Sequence, residues 1–297
     1  MNNSFFTGVP WHRFMEFISP AADRFTILKE TLEEAALASK IIDIAGSRHF
    51  VVSPSPSSGQ NIERRRITIL SAHYDRAEGS PGANDNSAGV FLLLETAIRL
   101  ERGKVKNWFI IFTDKEELKS GESLEIQGAY SLGLRLKNSR MENSNIFSFD
   151  ACGTGDTLVI STTAENLLKK DGGNEKLQRS VLELQKLALD RARDLGMVKV
   201  LLAPTPFSDD AGFIRAGLAA QTITMLPSAE CIKLVAELRR NPDFSNALIN
   251  AESLQNSRTS PIPETWRSLN SPSDSHLRLT PGNFRTVIRF AEALCRG

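Results

Sequence analysis

Apolar positions recur at helical spacing through RFTILKETLEEAALASKIIDIA, residues 24–45, and Gly46 closes the run. With WHRFMEF before it, this pattern predicts a helical segment over residues 11–46. HFVVSPSP reads as a short strand ended by a Pro/Ser turn. In RRITILSAHYD the run ITIL is continuous and partly β-branched, as expected for a strand covered on both faces. Helix and strand patterns alternate from there. A helix over 87–101 places Val90, Leu93, Leu94 and Ala97 on one face. NWFIIFTD (107–114) is a buried-type strand, AYSLGLRLKN a helix, NIFSFDACG (145–153) a third strand and DTLVIST (156–162) a fourth. An amphipathic helix over 174–195 carries Leu177, Val181, Leu184, Ala188 and Leu195 on one side, with Gly196 at its end. VKVLLAP and AAQTITML are further strands. Thr280-Pro281 supplies a cap and a first-turn residue for the last helix, whose Phe284, Val287, Ile288, Ala291 and Leu294 face inward.

Strands alternating with helices predict an α/β fold, a three-layer sandwich around a central mixed, mostly parallel sheet. Residues 229–264 break the rhythm with a helical and then Asn/Ser/Pro-rich stretch, read as an insertion or cap within a single domain over 1–297. The chain has 297 residues, enough for one large core, with 41% hydrophobic and 24% charged residues and a net charge of +1. That balance attracts neither nucleic acid nor a membrane surface, and RRR at 64–66 is a solvated approach to a strand. Three scattered cysteines fit a reducing compartment better than a disulfide framework. With no signal-like start and no long apolar run, a cytoplasmic protein is expected.

The chemistry lies where the predicted strands end, which in an open α/β sheet is where ligands bind. SAHYDRAEGSPGANDNSAG (71–89) follows the ITIL strand and carries His73, Asp75 and Asp85. Asp114, Glu116 and Glu117 follow WFIIF, and Asp150 follows IFSF. Any one acid at a strand end is an ordinary cap or turn residue, and Asp114 is read as one. Together, these carboxylates and one imidazole converge on one edge, and like charges so close need a cation between them. One histidine with several carboxylates suits zinc, with manganese or cobalt as alternatives. Asp75 can take the ring nitrogen that His73 does not give to the ion.

HYD, GANDNSAG, a strand followed by EE, and a strand ending in Asp with Gly soon after resemble, in order, the zinc-dependent M28 peptidases. SDDAGFIRAGLAAQTITML and TWRSLNSPSDS (265–275) resemble the family's later segments, so the likeness runs over roughly 65–295. The resemblance implies a zinc exopeptidase-like fold and two metal sites bridged by Asp85. One would use His73 and Asp150; the other would use Glu117 and the position of Asn270, where the family has histidine. Glu116 would be the general base and Asp75 its catalytic support, and the Asp85–Asn86 peptide would be cis. Asparagine is a weak zinc ligand beside imidazole. Of the remaining histidines, His276 lies six residues later and His49 reads as structural. KSGESLEIQ after EEL looks like a small insertion, and Asp210 stands where the family often has histidine. The implied activity is hydrolysis of peptide or amide bonds, an aminopeptidase acting on a peptide or aminoacyl substrate. Its specificity pocket would be lined by 205–215 and 229–264. Two alternatives stay open: a weakened or non-enzymatic member that binds metal or peptide, and an acyl transferase like the glutaminyl cyclases, which share the fold.

Overall fold

A computed structural model describes residues 6–55, 66–119, 121–170, 174–241, 243–249 and 261–296. The strands are β1 (Ser39–Ile44), β2 (Ser47–Val52), β3 (Thr68–His73), β4 (Trp108–Thr113), β5 (Asn145–Phe149), β6 (Thr157–Ser161), β7 (Val200–Ala203) and β8 (Ala220–Leu226). They form one mixed sheet in the order β1-β2-β4-β3-β5-β8-β6-β7. The centre is parallel: β3 pairs β4 with His73 opposite Thr113, and β5 with Ser71 opposite Ser148. β8 runs parallel to β5, β6 antiparallel to β8, and the β1–β2 hairpin antiparallel to β4.

The helices are α1 (Trp11–Phe17), α2 (Arg24–Glu34), α3 (Gly89–Arg102), α4 (Gly128–Asn138), α5 (Thr163–Lys170), α6 (Glu175–Asp194), α7 (Asp209–Arg215), α8 (Ser228–Arg240) and α9 (Phe244–Ile249). A short helix Glu264–Arg267 and a C-terminal helix Phe284–Cys295 follow. Side chains alternate between faces along each strand. Leu70, Phe112 and Phe147 therefore join α1, α2, α3, α6 and the C-terminal helix in one core. Ile69, Ile111 and Ile146 meet Leu132 and Leu136 of α4 and Phe213 of α7 on the other. Three layers result. Among the described residues no helix is long and apolar enough to cross a membrane.

Several predicted boundaries move. The helical segment expected over 11–46 ends at Glu34, and SKIIDI is strand β1. Ala45 and Gly46 link it to β2 with φ of 51° and 73°, the left-handed pair that a two-residue hairpin loop needs. β1 is an edge strand with half-exposed Ile41, so its apolar residues carry no clean two-residue alternation. The helix expected from 87 starts at Gly89 and is buried almost all round rather than on one face. Thr280 does not cap the last helix: its hydroxyl accepts from Gly155 N at 2.8 Å, and a 3-10 turn Pro281–Asn283 intervenes. In the segment 229–264, Leu234, Phe244, Leu248 and Ile262 close a third apolar cluster against Val159 and Leu226. Residues 250–260 of that segment lie outside the described residues.

Candidate metal centre

His73 ends β3 fully buried at the middle of the sheet edge. Its Nδ1 lies 3.4 Å from Asp75 Oδ1. Its Nε2 lies 3.1 Å from Asp85 Oδ1, 3.7 Å from Asp150 Oδ2 and 4.0 Å from Glu116 Oε2. The ligand atoms of His73, Asp85 and Asp150 fall within 4.8 Å of one another, as do those of His73, Glu116 and Glu117. Six residues separated in sequence by up to 77 positions thus need only three strand ends and one loop to meet.

The loop is built for that return. Gly82, at φ 59°, turns the chain where a Cβ would sit 2.7 Å from the Asp85 carbonyl oxygen. The turn Ala83–Ala88 follows, and in it Asp85 and Asn86 leave helical φ/ψ around a cis peptide. Asn86 Nδ2 donates to Phe149 O at 2.8 Å, and Gly153 N donates to Asn84 Oδ1 at 2.7 Å. Both bonds tie the loop to the end of β5 that carries Asp150. Asp75 Oδ1 accepts from Glu116 N at 3.2 Å and its Oδ2 from Glu117 N at 3.1 Å. One carboxylate therefore orients the imidazole and fixes the backbone of both glutamates. Gln127 Nε2 donates to Glu116 Oε1 at 3.2 Å.

The electrostatics fit a cation. Burial, then repulsion from Asp85, lifts the Glu117 carboxyl to about 9. Burial and the surrounding carboxylates also raise Glu116 well above its usual range, against the attraction of His73. Burial raises Asp85, with repulsion from Asp150 adding to it. Burial opposes protonation of His73, but Glu116, Asp150, Asp75 and Asp85 outweigh it and raise the imidazole well above its ordinary value. Burial also opposes ionisation of Asp75, yet His73 and the two backbone N–H groups hold it below the usual carboxylate range. Glu117 Oε1 and Asp150 Oδ1 are buried without a hydrogen-bond partner. Buried acceptors of this kind are costly unless something electropositive meets them. The donor set of one imidazole and hard carboxylates suits a divalent ion.

The structure brings together five expected residues, His73, Asp85, Glu116, Glu117 and Asp150, with Asp75 behind them. Asn270 stands apart in character: it is exposed, at φ 56° in a turn. His276 belongs to neither ligand group. His49 is buried, its Nδ1 accepting from Asp114 N at 3.3 Å, while Asp114 itself accepts from Arg48 N as a turn residue does. Sequence reasoning missed Gln127, Arg24 and the role of Asp274. Gln127 lies in the stretch read as an insertion, and a lone Arg on an amphipathic helix carries no signal. A pocket beside α7 is lined by Leu124, Ala164, Leu168, Phe207, Asp210 and Ile214 among others. Part of the 205–215 loop lines it, together with residues 123–124 and α5.

The Peptidase family M28 profile matches residues 44–266. The chain belongs to peptidase family M28. The fold is similar to a zinc aminopeptidase from Bacillus subtilis, at 19% identity and TM-score 0.52 over 83% of this chain and 48% of that one. It is also similar to the LapA aminopeptidase of Legionella pneumophila, at 15% identity and TM-score 0.61 over 99% and 71%. Tannerella forsythia glutaminyl cyclase aligns at 14% identity and TM-score 0.61 over 100% and 98%. The chain spans about half the length of the Bacillus subtilis enzyme. No curated protein matches the sequence.

Proposed function

We propose that the protein is a metal-dependent hydrolase of peptide or amide bonds that removes N-terminal residues, with zinc held by His73, Asp85 and Asp150. The observation that carries this reading is the meeting of those three ligand groups within 4.8 Å beside Glu116. A zinc ion there would polarise the scissile carbonyl and bring the pKa of water near neutrality. Glu116 takes the proton of the attacking water and passes it to the leaving amine. Gln127 holds one oxygen of Glu116, leaving the other facing the centre. Asp75 keeps His73 in place and fixes the Glu116 and Glu117 backbone. The surplus of carboxylates favours a substrate with a free amine, which supports exopeptidase action on a peptide or aminoacyl compound.

The exposed Asn270 supports one ion per chain and favours a second reading, a member that binds metal or peptide with little or no turnover. Glu116→Gln distinguishes the two. The assay is hydrolysis of aminoacyl 4-nitroanilides by zinc-loaded protein, and the expected loss is about 10²–10⁴-fold. An unchanged rate would remove Glu116 as the base. Absence of hydrolysis by zinc-loaded wild type would leave the second reading. The same protein incubated with an N-terminal glutaminyl peptide tests acyl transfer through ammonia release.

A further inference from the structure

Two charged side chains buried beside the centre come from outside the matched span 44–266. Arg24, at the start of α2, is 6% exposed. Its Nη1 donates to the carbonyls of Tyr74 at 3.2 Å and Asp75 at 3.0 Å. Its Nη2 donates to Pro81 O at 2.8 Å, Gly82 O at 3.2 Å and Ser87 Oγ at 2.8 Å. One guanidinium therefore pins the segment after His73 to the loop that delivers Asp85. Asp274, 1% exposed, works from the other side. Its Oδ1 accepts from Asn84 N at 2.9 Å and its Oδ2 from Asp85 N at 3.0 Å. Its carbonyl accepts from Ala83 N at 3.2 Å. The segment that offers Asn270 in place of a ligand thus grips the backbone of the loop carrying Asp85.

Burying such charges is costly, and apolar replacements of buried charged groups are often neutral or stabilising. Stability alone therefore does not account for them. What the two groups do is geometric. The planar fork of Arg24 spans two chain segments, and the two oxygens of Asp274 span two consecutive N–H groups. We infer that Arg24 and Asp274 are positioning residues for Asp85, a clamp that fixes the loop and thereby sets the affinity of the centre for its ion. The inference rests on Asp85 being a ligand, as proposed above.

The test uses the full chain and the ions themselves: Zn²⁺ binding by calorimetry, and Co²⁺ binding by its visible absorption bands. Asp274→Asn keeps the volume but loses one of the two acceptors. Arg24→Lys keeps the charge but cannot fork across both segments. Each is expected to weaken binding about 10–100-fold and to alter the Co²⁺ bands. Glu95→Gln is the control for a merely structural role. Glu95 is a buried carboxylate further along α3 that accepts from Thr7 N at 3.1 Å and Gly8 N at 2.7 Å. It is expected to lower the melting temperature with ion affinity and Co²⁺ bands unchanged. Wild type that binds an ion while Asp274→Asn and Arg24→Lys bind it within about twofold as well would overturn the clamp and leave the metal reading intact. Wild type that binds no ion would overturn the metal reading and the clamp with it. If one variant does not fold, the other decides.

Discussion

Replacing Asp210 by Asn is expected to change how stability depends on pH. Asp210 sits in the first turn of α7, 2% exposed, with Oδ1 accepting from Ser208 N at 3.2 Å. Burial lifts its carboxyl from 3.8 to about 7. A raised folded-state pKa means the unfolded chain gives up its proton first as pH rises. The contribution to stability is fully present below about 3.8 and is lost as pH climbs through about 7. Across that interval of about three pH units, at about 1.4 kcal/mol each, the wild type forfeits about 4 kcal/mol, of which about 3 falls between pH 4.5 and 8. Asn has the same shape, keeps an acceptor for Ser208 and does not titrate. Burial also raises Asp209 to about 6 and Asp274 to about 7; Asp274 titrates in both proteins and drops out of the difference, while Asp209, which repels Asp210, is relieved in the variant and moves the difference in the same direction. The assay is urea unfolding of wild type and Asp210→Asn in chelator across pH 4.5–8. The variant should gain on the wild type steadily toward high pH. A difference that stays constant to within about 1 kcal/mol would refute the reasoning, because Asp210 would then ionise as easily in the fold as in the open chain.

Gln127→Leu removes the donor to Glu116 and is expected to lower kcat about 10-fold with KM little changed, read by steady-state kinetics; a rise in KM alone would place Gln127 in substrate binding. Gly128→Ala would set a Cβ 1.8 Å from the Asp114 carbonyl oxygen, beside the strand end that leads to Glu116. It is expected to cost about 2 kcal/mol or more in urea unfolding, and a loss under about 0.5 would show that α4 can slide away. Zinc at 100 times its dissociation constant is expected to add about 2.7 kcal/mol to stability, with one ion per chain by elemental mass spectrometry. Unfolding curves that coincide with and without zinc would remove the ion from the folded state.

The central strands were legible because burial on both faces forces continuous apolar runs: ITIL, WFIIF and NIFSF all lie where their composition puts them. Their ends were legible for the same reason, since a polar residue directly after such a run must lie at the sheet edge. That logic placed His73, Glu116, Glu117 and Asp150 in one neighbourhood. Strand β1 was not legible, because an edge strand with Ile41 exposed and Ile42 and Ile44 only partly buried lacks the alternation that burial imposes. The positive φ of Ala45 has no marker in a residue that rarely adopts it. Arg24 and Gln127 were hidden for another reason. Their work is done through backbone carbonyls and a neighbouring carboxylate, which leave no pattern in sequence. The walls of the pocket beside α7 depend on how 123–124 packs near α5, a long-range fact that local spacing does not encode.

The Thr68 hydroxyl at the start of β3 donates to Leu294 O at 3.2 Å, across 226 residues. β3 is the strand that ends in His73, and α3, which follows its loop, packs against the C-terminal helix. During synthesis the middle of the sheet therefore waits for residues 284–295 to cover it. Until that helix leaves the ribosome, the apolar surface it will bury has no partner, and non-local closure of this kind is slow and aggregation-prone. Deleting residues 284–295 should damage yield more than deleting the edge hairpin of β1 and β2, although the hairpin is the longer piece.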